Sequence, residues 1–137
     1  MGNAYIVIPK NMRLKYLDGT FFMVQVIMND ILRKFEEACI LKGEADELGN
    51  SKKGNKQYKV IHSAYLSLKK NNRLDELASL LDHENPYVRL WASAYTLQIS
   101  QAKAEKTLQS LSKIKGNVGF CSEMTLREWE NGSLKFE

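Results

Sequence analysis

Two histidines, His62 and His83, carry the side chains best suited to proton transfer near neutral pH. His83 lies between Asp82 and Glu84, and an imidazole flanked by carboxylates is a candidate general acid or base. No nucleophile is evident beside it in sequence, so we interpret His83 and Glu84 as solvated residues of a polar corner. His62 is predicted to be a half-buried structural ring.

Other common catalytic and cofactor-binding patterns are missing from the sequence. Adjacent carboxylates such as Asp46 and Glu47 diverge by about 100° on a helix and cannot converge on one substrate atom. Cys39 and Cys121 are far apart and lack a Cys-x-x-Cys partner, which favours buried, reduced thiols over a disulfide or a zinc site. There is no glycine-rich phosphate loop and no EF-hand. The sequence therefore predicts no enzymatic activity, no metal site and no cofactor.

The charged residues are distributed unevenly along the chain. Residues 49–73 contain seven basic residues and no acidic one, whereas the segment before them carries Glu44, Asp46 and Glu47. Three interpretations of the basic segment stay open: a solvated face, a surface for an acidic protein partner, or a nucleic-acid contact. Lysines without interleaved exposed arginines and aromatics are a weak nucleic-acid signature. The candidate lysines are Lys52, Lys53, Lys56 and Lys59.

Helices must position these residues. The 137 residues are 44% hydrophobic and 26% charged, which is ordinary for one globular domain. Two prolines and eight glycines lie between long segments of helical periodicity, so the sequence predicts an all-α fold of about six helices. The predicted helices cover residues 21–42, about 54–70, 74–81, 86–99, 101–113 and 122–131.

The best specified stretch is LASLLDHENPYVRLWASAYTL at residues 77–97, which predicts an αα-hairpin. Asn85 can accept hydrogen bonds from free helix-start amides, and Pro86 suits the first helical position. The helix after this corner is apolar on two sides, which predicts an inner helix. Trp91 and Trp129 could anchor an interface, but core packing is the commoner use of tryptophan, and Tyr87 is predicted to be the exposed aromatic.

The corner motif L-L-D-x-x-N-P-x-V-R-x-x-A resembles a HEAT repeat, in which helix pairs stack side by side. With GEADELGN at 43–50, GNKQYK at 54–59 and VGFCSEMTLREWENGSLKF at 118–136, it is similar to a bacterial HEAT-like domain family of mostly unknown function. The resemblance covers roughly residue 29 to the C-terminus. It implies a right-handed stack of antiparallel helix pairs, a HEAT-like α-solenoid, in which Asp82 and Arg89 bond across neighbouring repeats.

A small helical stack without convergent chemistry is expected to be a binding surface. The family that the chain resembles is similar to proteins encoded beside secreted bacterial toxins. The resemblance therefore implies an immunity protein that binds a cognate toxin, such as a nuclease domain, and blocks its active site. The expected contact combines the basic and acidic segments with His83, Glu84 and Tyr87. The alternative is a HEAT-like nucleic-acid-binding protein that uses residues 52–73.

The N-terminal part is less regular. Residues 1–19 are predicted to form an arm before a single helical domain at 20–137. The run FFMVQVIM at residues 21–28 is apolar nearly all round, so either the arm covers it or it is a contact surface that could form a homodimer. No signal peptide is apparent and no apolar run is long enough for a bilayer, so we expect a cytoplasmic protein with no membrane partner.

Overall fold

The computed structural model describes residues 19–136, with side chains from residue 23 onward. These residues form six helical elements and no strand: α1 Gly19–Glu47, α2 Ser51–Lys70, a 3-10 helix Leu74–Leu80, α3 Pro86–Thr96, α4 Gln101–Leu111 and α5 Asn117–Glu130. The predicted all-α fold of about six helices is confirmed. The right-handed HEAT-like stack stays a prediction, and the predicted arm at residues 1–18 lies outside the described residues.

Helix α1 is longer than predicted, because Gly43 does not end it. Gly43 is buried inside the helix, and a Cβ at this position would overlap the ring of Tyr87. The glycine therefore allows a close approach between α1 and α3. The chain leaves α1 at Gly49, whose φ is +71°, and the Asn50 amide donates to the carbonyl of Ala45 at 2.8 Å.

Helix α2 starts at Ser51, earlier than residue 54. The Asn50 side chain caps it by accepting a hydrogen bond from the Lys53 amide at 3.1 Å. Gly54 then lies buried in the first turns, where a Cβ would come within 2.8 Å of Asp46 Oδ1. The start of α2 therefore packs tightly against the end of α1.

The corner before α3 forms largely as predicted. Asn85 Oδ1 accepts hydrogen bonds from the amides of Tyr87 at 2.9 Å and Val88 at 3.4 Å, and Pro86 occupies the start of the helix. The element before the corner is a 3-10 helix, and α3 ends at Thr96 rather than at Ile99. Ile99 continues the helical spacing of Val88, Ala92 and Tyr95, but 47% of it is exposed because the helix ends before it.

The segment at residues 118–120 is helical, so the last helix begins earlier than the predicted residue 122. Helix α5 begins at Asn117, and Gly119 lies so close to the preceding loop that a Cβ would overlap the Ile114 carbonyl oxygen. This register buries Val118 and turns Phe120 outward, where 66% of it is exposed. Phe120 therefore does not cover the core.

The core consists of two hydrophobic clusters that share α3. Val88, Ala92 and Tyr95 belong to the first cluster, with α1, α2 and the 3-10 helix. Tyr87, Leu90 and the adjoining Leu97 belong to the second, with α4 and α5. The prediction of an inner helix covered on two sides is confirmed.

Candidate protein-binding surface

The acidic end of α1 and the basic start of α2 form one surface. Lys42 Nζ pairs with Asp46 Oδ2 at 2.8 Å, and the backbone of Gly54 lies directly against this pair. The first turn of α2, which carries Lys52 and Lys53, therefore packs against the end of α1 that carries Asp46. Charges of both signs, predicted from two sequence segments, are brought together by the tight α1–α2 turn.

Four lysines extend this surface along α2. Their side chains are exposed, and none of the four takes part in an ion pair within residues 23–136: Lys52, Lys53, Lys56 and Lys59. Glu44 and Glu84 are exposed as well, and the described part of the chain gives neither of them a salt bridge. Unpaired surface charges of this kind are available to a partner.

Tyr87 is buried, so the prediction that it is the exposed aromatic was wrong. Only 7% of it is exposed, because its ring packs over Gly43. Its hydroxyl donates to Glu47 Oε2 at 2.8 Å and accepts from Asn117 Nδ2 at 3.4 Å. Burial raises the pKa of Tyr87 to about 12, so the hydroxyl stays protonated at neutral pH. Tyr87 therefore fixes the Glu47 carboxylate between α1, α3 and α5.

His83 pairs with a carboxylate that is distant in sequence. Its Nε2 lies 2.6 Å from Oε2 of Glu36 on α1, and its Nδ1 accepts the Asn85 amide at 2.9 Å. The second bond requires Nδ1 to be unprotonated, so Nε2 carries the proton that is donated to Glu36. Nε2 thus joins the corner to α1, while Nδ1 holds the backbone of the corner itself, and His83 is half-buried rather than solvated.

Neither Asp82 nor Arg89 forms an ion pair with another described residue, so the bonds across neighbouring repeats that the HEAT resemblance implies are not found among residues 23–136. Arg89 Nη1 donates instead to the carbonyl oxygen of His83 at 2.9 Å, which closes the corner from the side of α3. Asp82 is exposed. The bond of Arg89 to a carbonyl stabilises the corner within one helix pair.

Trp91 and Trp129 are both half-buried and pack against the core. Trp91 contacts the rings of Tyr58 and Tyr95, with ring centroids 5.8 and 6.1 Å away. Trp129 Nε1 donates to Glu105 Oε2 at 3.0 Å, and its ring meets Phe136 edge-on at 6.2 Å. These contacts confirm core packing as the main use of both tryptophans, although one face of Trp91 also borders a groove.

This groove, of about 350 Å³, opens between α3, α5 and the end of α1. Its walls are mainly apolar, and its edge is polar. The lining residues are Lys42, Asp46, Tyr87, Leu90, Trp91, Ala94, Asn117, Phe120, Cys121, Met124, Thr125 and Glu128. The sequence did not predict the groove, because the last helix was expected to begin only at residue 122. The helical spacing of Phe120 and Met124 was the available signal for an earlier start.

Comparison with known proteins identifies the family. The model of a domain of unknown function, DUF2019, matches residues 29–128. The chain belongs to the DUF2019 family. No curated protein matches it. A solved structure, the protein RPA1889 from Rhodopseudomonas palustris CGA009, is similar with a TM-score of 0.71 and 23% identity, over 79% of this chain and 92% of that chain. At this identity the likeness establishes the fold alone.

The DUF2019 region contains nearly all of the candidate surface. The acidic end of α1, the lysines of α2, the corner and the groove lie within residues 29–128, whereas Trp129 lies just beyond. The apolar run at 21–28 precedes the region; there, about half of Met23 and Val26 is exposed and Met28 is buried. The part of the chain that the structure describes contains no cluster of three or more potential metal ligands and no helix able to cross a membrane.

Proposed function

We propose that this DUF2019 protein is a non-enzymatic protein-binding module of the bacterial cytosol. In its concrete form the proposal is an immunity protein that binds a cognate toxin domain and blocks its active site. The HEAT-like stacking of helix pairs is part of the proposal. The observation that supports it best is the mixed-charge surface at the α1–α2 turn, where the start of α2 packs against the end of α1 that carries Asp46 and Glu47. The exposed lysines of this start form no ion pair with any described residue.

Charge of this kind accelerates association with a complementary partner. Six lysines and no acidic residue lie on α2, so an acidic protein surface would be attracted along the length of the helix. Acidic side chains at the adjoining end of α1 would repel the same acidic partner if it docked in the wrong orientation. The surface thus favours one orientation of the partner.

The hydrogen bonding of the one catalytic candidate also supports binding over catalysis. Both ring nitrogens of His83 are engaged, one with Glu36 and one with the Asn85 amide. A general acid or base needs a nitrogen within reach of the substrate. Proton transfer by His83 would therefore require the corner to open, and we assign His83 a structural part in the proposed module.

The test is protection against a toxin encoded beside this gene. Each neighbouring reading frame is expressed in a bacterium with and without this protein, and growth is measured. We expect one product to arrest growth and the wild-type protein to relieve the arrest. A variant with Lys52, Lys53, Lys56 and Lys59 changed to glutamate should protect poorly and bind the purified product at least about tenfold more weakly.

A matched control carries the same change of charge elsewhere. Lys103, Lys106, Lys113 and Lys115 are exposed on α4 and in the loop after it, and their change to glutamate should leave protection intact. Equal protection by both quadruple variants would show that the α2 lysines are not used. If no neighbouring product is toxic, or if toxicity is the same with and without this protein, the immunity function is excluded.

A nucleic-acid-binding function is the second candidate, and Tyr58 favours it. Tyr58 is 39% exposed, and its ring stacks on His62 with ring centroids 5.7 Å apart. With Lys59 and Lys70 it lines a shallow groove of about 440 Å³ along α2. An exposed aromatic ring among lysines is a platform on which a base can stack.

The second candidate predicts salt-dependent binding of labelled single-stranded DNA or duplex DNA in an anisotropy assay. Tyr58→Ala should weaken binding of the single strand more than of the duplex, whereas Lys56→Glu and Lys59→Glu should weaken both. Absence of binding at low salt would eliminate this function.

A further inference from the structure

The groove between α3, α5 and the end of α1 holds an exposed aromatic residue that the fold does not require. Val118 and Ser122 are buried on the inner side of α5, while Phe120 points outward with 66% of its surface exposed. Trp91 and Met124 form the adjoining walls of the groove. Aromatic residues and methionine are enriched in the buried centres of protein interfaces.

The edge of this groove is acidic. Asp46 is neutralised by Lys42, the one basic side chain among the described residues that line the groove. One further carboxylate remains: Glu128 lines the groove and has no ion pair within the described residues. An apolar centre with a negative edge selects an occupant of complementary composition.

We infer that this groove binds an apolar segment of a protein partner that carries arginine or lysine beside its apolar anchors. The apolar anchors contact Phe120, Trp91 and Met124, and the basic side chain pairs with Glu128. The groove has the volume of an ordinary ligand pocket, about 300–1,000 Å³, and is open enough along α5 to admit a peptide. The inference rests on the proposed protein-binding function and adds a second contact, distinct from the lysines of α2.

Two series of synthetic amphipathic peptides of about twelve residues test the inference. Both series have the same leucine and phenylalanine face, and they differ in whether the flanking residues are arginine or glutamate. Binding is followed by the fluorescence of Trp91 in a Trp129→Phe background, so that the signal comes from the groove. We expect the arginine series to bind and to shift the Trp91 emission, and the glutamate series to bind at least about tenfold more weakly.

Two variants probe the two parts of the site. Phe120→Ser removes the exposed anchor and should weaken the arginine series about tenfold without lowering thermal stability, because the ring is mostly exposed. Glu128→Gln keeps the shape and should weaken the arginine series alone. Ile99→Ser is the matched control, because Ile99 is 47% exposed and does not line the groove.

The inference is overturned if neither series binds, if both bind equally, or if Phe120→Ser has no more effect than Ile99→Ser. If the molecular mass rises to that of a dimer at higher protein concentration, and Phe120→Ser restores the monomer, the groove binds a second copy of this chain. That result also overturns the inference. The same variant separates this inference from the proposed function. If Phe120→Ser still protects against the toxin while the quadruple lysine variant does not, the groove assignment fails and the immunity function stands.

Discussion

Gly43 and Tyr87 are 44 positions apart in the chain and meet where α1 and α3 cross. The ring of Tyr87 occupies the space that a Cβ of residue 43 would need. The hydroxyl of the same residue then reaches Glu47 and Asn117, so one side chain joins the ends of three helices. The position of Glu47 on the candidate surface depends on this contact.

Gly43→Ala should destabilise the protein by about 1–3 kcal/mol, because the added methyl group overlaps a buried ring. In a Tyr87→Ala background the same substitution should be neutral or stabilising, since alanine is the better helix former by about 1 kcal/mol. Urea unfolding of the four proteins of this double-mutant cycle measures the coupling. Additive effects of the two substitutions would contradict the proposed overlap.

The raised pKa of Tyr87 predicts a loss of stability in alkali. An unfolded tyrosine ionises at pH about 10, whereas burial raises the pKa of Tyr87 to about 12 in the folded protein. Between these values the unfolded state loses a proton that the folded state keeps, so stability is constant below pH about 10 and falls above it.

The Tyr87→Phe variant should therefore show a shallower decline of the urea midpoint between pH 8 and about 11 than the wild type does. Part of the decline will remain, because burial also raises the pKa of Tyr95. A decline of the same steepness in both proteins would show that Tyr87 is not responsible.

Among the elements, α3 shows why some boundaries are predictable and others are not. Its start is set by Asn85 and Pro86, whose effects are local, and the structure places both as predicted. The end of α1 is not set locally. Glycine serves both as a helix terminator and as a site of close approach, and only the distant Tyr87 decides between these uses for Gly43. Gly119 could likewise serve either use, and its contact with the carbonyl oxygen of Ile114 shows that it is a site of close approach.

Asn85→Ala should cost about 0.5–2 kcal/mol, because the amides of Tyr87 and Val88 lose their acceptor at the start of an inner helix. Asn85→Asp keeps the acceptor and should cost less. Thermal or urea unfolding checks the order of the two variants. An alanine variant as stable as the aspartate variant would show that water replaces the cap.

At the scale of the whole molecule, the sequence predicted the charged residues of the candidate surface and a contact that combines them, but not the packing that holds them together. Lysines and acids are visible in a sequence as separate segments, whereas the turn that brings them together depends on Gly54 packing against Asp46. The groove was missed for a related reason: its walls come from α3 and α5, and their meeting depends on the register of α5. The spacing of Phe120 and Met124 indicates the register of α5, but not its packing against α3.

The two core clusters should unfold together, because α3 belongs to both and Phe136 packs against both. Trp91 reports on the first cluster and Trp129 on the second, so Trp129→Phe and Trp91→Phe give two single-tryptophan proteins with separate probes.

Leu108→Ala, in the second cluster, leaves a cavity at a fully buried position and should destabilise each protein by about 2–5 kcal/mol. If the clusters are coupled through α3, the unfolding midpoints reported by Trp91 and by Trp129 will both shift to a lower urea concentration by the same amount. If they are independent units of a repeat array, Leu108→Ala will shift the Trp129 transition and leave the Trp91 transition in place. Equal shifts would mean that a partner bound in the groove, which α3 and α5 line, stabilises the whole described fold rather than one half of it.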